Sequence, residues 1–431
     1  MMSRTILPVV LLAGILTACG RGADAPQTNV RQGDWPQWRG PNRDGISTET
    51  GLLKEWEQGG PPLAWQVEGL GSGWGSVSVA DGRIFVMGHR EGGEHVTALR
   101  VDDGARIWST KMGTGGHSNC APTVDGDRVY AVGLAGDLAC LNVDDGKLVW
   151  SKNYGRDFRG RMMSSWGFSE SPLVDGDRLI CTPGARDAIL AALDKRDGSV
   201  VWKTTLPGNV GPRGKDGAAY SSVVISNGAG VKQYVQLVGR GVIGVRAEDG
   251  KLLWAYNHIA NDTANIPTPI VHGDYIFTST GYDTGAALLK LSRDGDGVKA
   301  EEVHFLEQDV MQNHHGGMIL LDDHVYCGTG HNNGFPLCIE LLTGKVAWRA
   351  DEGPGRNSAA VAYADGNLYF RYENGTMALI EANPMEYVVK GSFRLASING
   401  ESWPHPVIAG GHLYLRDQNV LMCYDIRERR D

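Results

Sequence analysis

The stretch VDGDRVYAVGLAGDLACLNVDDGKLVW, residues 124–150, contains the pattern on which the fold of this chain depends. A turn at Asp125-Gly126 precedes a short strand with an aromatic residue, and a second turn at Asp145-Gly146 precedes a strand that ends at Trp150. Asp-Gly supplies the positive φ that a tight hairpin needs, and alternate residues of each strand point to opposite faces of a sheet. The stretch therefore predicts a small antiparallel sheet.

Similar stretches recur along the chain. The turn-and-strand half recurs at 79–88, 124–133, 174–184, 224–239, 271–281, 321–330, 363–372 and 408–417. The half that ends in tryptophan recurs at 98–108, 140–150, 192–202, 244–254 and 338–348, with decayed copies at 289–303 and 378–389. A period of about 40–50 residues with four short strands per unit is typical of a β-propeller. We therefore predict an all-β, eight-bladed β-propeller of four-stranded antiparallel blades, with the recurrent tryptophans packed in the wedge between blades.

The two ends of the repeat region complement each other. The last copy stops near Ile426 without the strand that should end in tryptophan, while residues 62–66, PLAWQ, look like such a strand without a blade. We expect this N-terminal strand to complete the C-terminal blade, because closing the ring pairs edges that would otherwise be exposed. The propeller then occupies residues 61–431.

Composition agrees with this architecture. The chain has 60 glycines in 431 residues, about twice the usual share of about 7%, which favours many turns over helices. The net charge of −9 gives no global attraction to nucleic acid, and we predict no nucleic-acid partner. We expect the propeller to be a monomeric domain.

The N-terminus has the order of an export signal. Arg4 precedes the apolar run ILPVVLLAGILTA, residues 6–18, which is too short to span a membrane, and small residues precede Cys19. This order resembles the bacterial lipoprotein signal, in which cleavage before the cysteine is followed by its lipidation; an ordinary secretory signal is the alternative. We predict a signal peptide at 1–18, lipidation of Cys19 and a tether with an N-terminal cap segment at 19–60. A lipid anchor facing the periplasm, with the outer membrane favoured, follows from that interpretation.

The pattern A-L-x-x-x-D-G-x-x-x-W resembles the pyrroloquinoline-quinone-type propeller repeat. That repeat occurs in quinoprotein alcohol dehydrogenases and in the outer-membrane assembly-factor lipoprotein B. The resemblance covers residues 61–427, and WPQWRGP at 35–41 is similar to the opening of exported bacterial proteins with quinone-like propellers. The resemblance implies the propeller fold. It does not imply one function, because the same blades occur in enzymes and in scaffolds.

The enzyme branch of the resemblance implies features that can be checked. Quinoprotein dehydrogenases carry an adjacent cysteine pair, Glu, Asn and Asp ligands for Ca²⁺, an Asp base and a longer chain. This sequence has no adjacent cysteines and no CxxCH haem motif. We therefore predict no cofactor, with pyrroloquinoline quinone and calcium as the alternative.

One cysteine pair is a candidate disulfide. Cys327 and Cys338 belong to one predicted hairpin whose midpoint falls between Asn332 and Asn333. Residues directly opposite each other on an antiparallel pair have Cβ atoms about 4.5–5.5 Å apart. We expect the two cysteines to face each other, and export permits their oxidation.

A second set of candidates precedes the innermost strand of each blade, where the chain opens onto one end of the central channel. Aromatic, amide, histidine, arginine and acidic side chains converge there, and such pockets are the default binding-site hypothesis. The alternative is that these residues only hydrogen-bond channel backbone and water. The candidates are Trp74, His117, Asn119, Trp166, Glu170, Tyr220, Asn265, Asn313, His314, His315, Arg356, Trp403 and His405.

The pair His314-His315 raises the question of a metal site. Neighbouring residues on a strand point to opposite faces, so we expect one of the two at most to reach the channel. A site would then need His117 or His405 within coordination distance of the same ion. We predict no metal site. A general acid or base role for Glu170 or His405 has no partner that the sequence identifies.

These observations predict a cell-envelope lipoprotein whose propeller serves as a binding or scaffold module for envelope proteins or a small ligand. The alternative is an enzyme or small-ligand carrier, such as a quinoprotein-like oxidoreductase, that acts at the channel mouth. Geometry at that mouth distinguishes them, because catalysis needs an acid, a base and a positive group within reach of one point.

Overall fold

The computed structural model describes residue 31 and residues 33–428, which form eight four-stranded antiparallel sheets. The predicted eight-bladed propeller is confirmed. The predicted signal peptide and the predicted lipidation site Cys19 lie outside the described residues. In the part of the chain that the structure describes, no helix has the length and apolar character needed to cross a membrane.

The first strand of the chain is β1 (Leu63–Val67), and blades 1 to 4 follow it in sequence. Blade 1 contains β2 (Ser78–Ala80), β3 (Arg83–Arg90), β4 (Gly93–Arg100) and β5 (Arg106–Gly113), and blade 2 contains β6 (Thr123–Asp125), β7 (Arg128–Val132), β8 (Asp137–Asn142) and β9 (Leu148–Asn153). Blade 3 contains β10 (Leu173–Asp175), β11 (Arg178–Cys181), β12 (Ala191–Asp194) and β13 (Val200–Lys203), and blade 4 contains β14 (Val224–Ser226), β15 (Gln233–Val238), β16 (Gly241–Arg246) and β17 (Leu252–Tyr256).

Blades 5 to 8 repeat the arrangement. Blade 5 contains β18 (Ile270–His272), β19 (Tyr275–Thr280), β20 (Gly285–Asp294) and β21 (Gly297–Glu307), and blade 6 contains β22 (Met318–Leu321), β23 (His324–Thr329), β24 (Phe335–Glu340) and β25 (Val346–Arg349). Blade 7 contains β26 (Ala359–Ala364), β27 (Asn367–Tyr372), β28 (Thr376–Glu381) and β29 (Val389–Arg394), and blade 8 contains β30 (Val407–Ala409), β31 (His412–Asp417) and β32 (Val420–Asp425). The described residues also form α1 (Tyr154–Phe158) and 3₁₀ turns at Gly228–Gly230 and His331–Asn333.

β1 completes blade 8. It pairs antiparallel with β32, with Trp65 opposite Cys423 and Val67 opposite Leu421. Blade 8 therefore combines three strands from the end of the chain with one from its beginning, as predicted, and the ring is closed by main-chain hydrogen bonds.

The first strand of each blade is the innermost. First strands of successive blades contact one another, as β2 does with β6 and β22 with β26. We call the end of the channel at which the chain enters these strands the channel mouth, and the opposite end, next to the turns that follow them, the channel base. Residues that precede the first strands therefore meet at one place although they are far apart in sequence.

Tryptophans dock most blades onto the next. The Trp108 indole N–H of blade 1 donates to the Val143 carbonyl of blade 2 at 3.0 Å, and Trp150 of blade 2 donates to the Lys195 carbonyl of blade 3 at 3.1 Å. The Trp108 ring also covers the Asp-Gly turn of the next blade, because a Cβ on Gly146 would lie 2.5 Å from it. The same residue types thus supply a hydrogen bond and a packed ring face at each of these interfaces.

Blade 5 departs from the pattern. Its third and fourth strands form a longer hairpin without a tryptophan, and His304 takes that place, with its Nε2 2.9 Å from the Leu341 carbonyl of blade 6. Trp254, at the end of blade 4, donates instead to Gln233 within its own blade at 2.7 Å. The decayed repeat of blade 5 therefore coincides with a change in the docking residues on both of its sides.

The predicted opposition of Cys327 and Cys338 is wrong. Cys327 pairs with Leu337, and Tyr326 pairs with Cys338, because the hairpin has an odd connecting loop that contains a 3₁₀ turn. A shift of one residue reverses the face to which a side chain points. The two thiols therefore lie in different apolar clusters, and both are free and buried.

The docking of tryptophan on the Asp-Gly turn predicts that two glycines of blade 2 tolerate alanine differently. Both Gly126 and Gly146 have positive φ, +56° and +69°, but only Gly146 faces a ring; nothing lies within 4 Å of a Cβ on Gly126. We expect Gly146→Ala to lower the free energy of unfolding by about 1–3 kcal/mol more than Gly126→Ala, because the added methyl overpacks against Trp108. Denaturant unfolding of the two variants measures the difference, and equal losses would contradict the docking role.

Candidate functional site

An aromatic cavity of about 340 Å³ lies at the channel mouth. We call it the mouth cavity. Its volume is at the small end of the range of about 300–1,000 Å³ that is typical of small-ligand sites. The residues that line it are Trp38, Trp74, Asn119, Trp166, Ser169, Tyr220, Ala264, Ile266, Tyr282, His314, His315, Trp403 and His405.

The structure brings together most of the side chains that the sequence placed at the channel mouth. They come from the segments that lead into the first strands of different blades, which explains why residues so distant in sequence meet. The candidates that line the cavity are Trp74, Asn119, Trp166, Tyr220, His314, His315, Trp403 and His405.

Two amide candidates are buried below the cavity and support backbone instead. The Asn265 amide donates to the Val238 carbonyl at 3.1 Å. The Asn313 amide donates to the Gly328 carbonyl at 2.9 Å, and neither residue is exposed. Asn313 thus holds a strand of its own blade and Asn265 a strand of the preceding blade, as the alternative interpretation of the candidate set expected.

Three further candidates also lie outside the lining. The Glu170 carboxylate is buried and accepts hydrogen bonds from the Tyr154 hydroxyl at 2.7 Å and the Thr182 amide at 2.6 Å. Burial raises the pKa of Glu170 above its ordinary value. His117 is exposed and stacks on the far side of a lining residue, and Arg356 is exposed elsewhere on the surface.

The floor of the cavity comes from outside the repeats. Residues 35–46 cross the channel base, where Trp35 exchanges backbone hydrogen bonds of 2.8 Å with Val79 of β2 and Ile46 bridges to Tyr363 of β26. The buried Arg43 guanidinium donates to the Ser171 carbonyl at 2.6 Å. From this segment Trp38 reaches into the channel, and its indole N–H donates to the Thr268 hydroxyl at 3.1 Å. The channel is therefore a blind funnel.

One wall of the cavity is a continuous series of aromatic rings. The ring centroids of Trp74 and Trp403 are 4.9 Å apart, and those of Trp403 and His315 are 4.8 Å apart. His315 stacks on His314 at 4.0 Å, and His314 meets Tyr282 edge-on at 5.2 Å. Each ring limits the movement of the next, so the wall is preorganised.

Both histidines of the pair reach the cavity, so the expectation that only one would do so is wrong. Residues 311–317 precede β22 and are not extended strand, and alternation of faces does not apply to them. The His314 ring is held on both sides, with Nδ1 2.5 Å from the Ser358 hydroxyl and Nε2 3.0 Å from the Tyr282 hydroxyl. Its nitrogens are therefore occupied by hydroxyl groups.

The opposite side of the cavity presents an open ring face. Trp166 is 46% exposed, which is unusual for a tryptophan in a structured segment. Its backbone is fixed, since its N–H donates to the Tyr220 hydroxyl at 3.3 Å and its carbonyl accepts from the Asn119 amide at 3.0 Å. Two other lining residues thus hold the Trp166 backbone, and the Tyr220 ring meets the indole edge-on at a centroid distance of 5.9 Å.

The histidines of the cavity are neutral at neutral pH. Burial, assisted by the neighbouring His331, lowers the pKa of His314 to about 3. Burial, followed by the charge of Arg39, lowers the pKa of His405 to about 3 as well. Burial also lowers the pKa of His315 well below its ordinary value.

Several buried polar atoms of the lining have no hydrogen-bond partner among the described residues. They are Nε1 of Trp74, Nε1 of Trp403, Oδ1 of Asn119 and Nδ1 of His405. An unsatisfied buried donor or acceptor costs about 1–3 kcal/mol. The four atoms belong to residues that line the cavity, but they have almost no accessible surface and therefore do not face the cavity space.

The lining carries no formal charge. Among the residues that the structure describes, no Lys, Arg, Asp or Glu lines the cavity, and no cluster of three or more His, Cys, Asp or Glu could hold a metal ion. Pyrroloquinoline quinone is a tricarboxylate that needs cationic partners and carboxylate ligands for its calcium ion. The donor set of the mouth cavity does not fit that group.

The sequence missed the lining residues that lie outside the segments before the first strands. Trp38 is in the stretch WPQWRGP, which was notable only for its resemblance to other exported proteins. Tyr282 is in the turn after β19, at a φ of +55°. An aromatic residue beside Gly281 in a turn was the one available signal for it.

Residues 92–350 match the protein family described as outer membrane protein assembly factor BamB. The chain belongs to this family. The match extends from the second strand-pair of blade 1 to the end of blade 6, and the remaining blades follow the same pattern in the structure. No curated protein sequence matches the chain significantly.

Solved structures share the BamB-type propeller at low sequence identity. BamB from Moraxella catarrhalis has a TM-score of 0.60 at 13% identity, over 88% of this chain and 99% of that chain. Quinohemoprotein alcohol dehydrogenase from Comamonas testosteroni has a TM-score of 0.65 at 12% identity, over 95% and 83%. A europium-containing methanol dehydrogenase has a TM-score of 0.61 at 13% identity, over 89% and 90%. These similarities establish the fold, which BamB and the two dehydrogenases share.

The depressed pKa of His405 predicts that the free energy of unfolding falls in acid, and that His405→Gln makes this fall smaller. The unfolded state takes up a proton near pH 6.5, whereas folded His405 does so only near pH 3. The stabilisation from neutral His405 is thus present above pH 6.5 and lost as the pH falls toward 3. We expect His405→Gln to reduce the slope of unfolding free energy against pH by up to about 1.4 kcal/mol per pH unit in that window. Denaturant unfolding at pH 4 to 8 measures the slope, and parallel curves would contradict the assignment.

Proposed function

We propose that this chain is a binding module of the bacterial cell envelope that holds a small uncharged ligand in the mouth cavity. The observation that carries the proposal is the preformed cavity itself, whose uncharged lining includes a wall of aromatic rings in contact with one another. A ligand that covers these rings removes apolar surface from water. Preorganised rings reduce the ordering that binding requires.

Binding is favoured over acid–base catalysis by the same lining. The cavity offers no carboxylate, ammonium or thiol within the described part of the chain. Its histidines are neutral, and a base whose pKa is about 3, such as His405, is weak at neutral pH. The only nearby carboxylate of the candidate set, Glu170, is occupied by Tyr154 and Thr182. The requirement of an acid, a base and a positive group around one point is not met.

A quinone-dependent role is disfavoured for a related reason. The dehydrogenases with this fold are described as quinohemoprotein and europium-containing proteins, and their chemistry needs a cofactor site. A tricarboxylate in the mouth cavity would lose its hydration without gaining a cationic partner. We propose that the cavity of this chain takes an uncharged ligand in its place.

The envelope location rests on the family and on the N-terminal sequence. The family is described by a protein that assists assembly at the outer membrane. Arg4, the apolar run at 6–18 and Cys19 have the order of a lipoprotein signal. We propose that the propeller is anchored by a lipid on Cys19 and faces the periplasm, with the outer membrane as the favoured site.

Scaffolding of envelope proteins is the second candidate function. The fourth strands of adjacent blades expose apolar residues on the outside of the ring, including Leu148 at 56% and Val201 at 48%. Exposed apolar residues on strand edges are a common feature of protein contact surfaces. This surface is separate from the mouth cavity, so a protein contact is compatible with a ligand in the cavity.

The ligand proposal predicts a charge preference. We expect the purified full-length chain to bind indole or maltose, both uncharged, and to bind neither choline, citrate nor pyrroloquinoline quinone with Ca²⁺. Isothermal titration calorimetry and tryptophan fluorescence measure the binding. Trp166→Ala removes the open ring face and should weaken binding, whereas Leu148→Ala, which is also an exposed apolar residue, should not. Binding of the charged probes alone, or of no probe at all, would refute the proposal.

The anchor proposal predicts that a single atom replacement releases the protein from the membrane. In a bacterial host, Cys19→Ser removes the sulfur that would be lipidated, so we expect loss of metabolic labelling with palmitate. The variant should move from the membrane fraction to the soluble periplasmic fraction. Palmitate labelling that persists in Cys19→Ser, or its absence from the wild type, argues against the anchor.

A further inference from the structure

We infer that the chain has a second binding site, for a phosphate group, on the face of the ring that contains the channel mouth. Its residues are Arg161, Arg186 and Arg240, whose side chains surround the carboxylate of Asp216. We call these four residues the arginine cluster. The cluster shares no residue with the lining of the mouth cavity, so the inference is independent of the ligand proposed for that cavity.

The three guanidinium groups converge on one point although they come from separate segments of the chain. Arg161 Nη2 and Arg186 Nη2 lie 3.1 and 3.2 Å from Asp216 Oδ2, and Arg240 Nε lies 2.8 Å from Oδ1. Arg161 and Asp216 precede the first strands β10 and β14. Arg186 and Arg240 lie in the loops that follow β11 and β15. All four positions are therefore at the mouth end of blades 3 and 4.

Backbone hydrogen bonds fix the two segments that carry the most exposed arginines of the cluster. The Arg161 carbonyl accepts from the Ala218 N–H at 2.8 Å, which ties it to the segment of Asp216. The Arg186 carbonyl accepts from the Leu206 N–H at 2.8 Å. Because the backbone is already held, binding of a ligand orders only the ends of the side chains, and this reduces its cost.

The arginine cluster has an excess of positive charge. Three guanidinium groups around one carboxylate leave two positive charges uncompensated within the cluster, although the whole chain has a net charge of −9. Lys215, which precedes Asp216 in the chain, is exposed and adds to this charge. The neighbouring ion pair of Arg159 with Asp187 adds none. A dianion would compensate the excess and relieve the repulsion between the guanidinium groups.

The N–H groups that would bind the anion are accessible to solvent. The side chains of Arg161 and Arg186 are 56% and 59% exposed. Each guanidinium has five N–H donors, and among the described residues Asp216 is the one hydrogen-bond acceptor of each of these two. A Cβ on Gly208 would lie 3.5 Å from Arg186 Nη1, so the glycine leaves space beside this group. Exposed ion pairs are weak, and the arginines can therefore share Asp216 with a ligand.

A phosphate monoester fits the cluster better than a carboxylate does. Arginine binds the oxygens of both groups, but a carboxylate has two oxygens for three guanidinium groups. Asp216 shows the consequence, since Arg161 and Arg186 share its Oδ2. A phosphate monoester has three terminal oxygens and a charge of about −1.5 to −2 at neutral pH, which matches the excess charge of the cluster. We therefore expect selection of phosphate over simple carboxylates.

Titration with inorganic phosphate tests the inference. The full-length chain is titrated with phosphate and, at the same ionic strength, with acetate, and isothermal titration calorimetry measures both affinities. We expect phosphate to bind and acetate to bind far more weakly. We also expect phosphate binding to weaken as sodium chloride is added, because the site is exposed. A phosphate affinity no greater than that for acetate would overturn the inference.

A pair of arginine variants tests the location of the site. Arg186→Gln removes one of the three guanidinium groups, so we expect the Kd for phosphate to rise about three- to tenfold. Arg196→Gln is the matched control, since Arg196 is also exposed and paired with one carboxylate, Asp194, at the opposite end of blade 3. Circular dichroism verifies the fold of both variants. A Kd that Arg186→Gln leaves unchanged, or that both variants raise equally, would overturn the assignment.

Vesicles distinguish a soluble phosphate compound from a lipid headgroup as the source of the phosphate group. The full-length chain and Arg186→Gln are sedimented with phosphatidylcholine vesicles that contain or lack phosphatidic acid, whose headgroup is a phosphate monoester. Additional binding to phosphatidic acid that Arg186→Gln loses assigns the site to a lipid. No additional binding, or additional binding that Arg186→Gln retains, assigns the phosphate of the titration to a soluble compound.

Discussion

The contact of a tryptophan with the Asp-Gly turn of the next blade is the interaction on which the rest of this structure depends. The indole N–H of Trp108 donates to the Val143 carbonyl, and its ring lies against Gly146, where a side chain would not fit. Repetition of this contact sets the spacing between blades, and the spacing sets the diameter of the ring. The channel mouth has room for a ligand because wedge residues keep the inner strands apart.

The same contact explains why the fold could be predicted from the sequence. Trp150 and Gly146 recur because the interface needs them, and a recurring interface leaves a recurring pattern. The closing strand was predictable for the same reason, since Trp65 belongs to the pattern and also docks on the next blade, through the Val101 carbonyl at 3.0 Å. A structural element that repeats can therefore be recognised from the sequence pattern that repeats with it.

Features outside the repeat were predictable only in part. The mouth residues before the first strands could be aligned, but side-chain direction in irregular segments could not, so His314 and His315 were wrongly separated. Trp38 comes from a segment that crosses the channel base, and no periodic pattern links it to the mouth. The register of Cys327 and Cys338 depends on the loop between them, and one additional residue in a turn moves a side chain to the other face of the sheet.

The completion of blade 8 by β1 also orders events during folding. Synthesis produces β1 first and its partner β32 last, so β1 has no mate until almost the whole chain exists. The blades between them have local contacts and can form earlier, whereas the pairing of β1 with β32 is the most non-local strand pairing in the ring. A nascent chain therefore carries an unpaired strand edge throughout its synthesis, and any factor that shields that edge acts on β1 until β32 arrives.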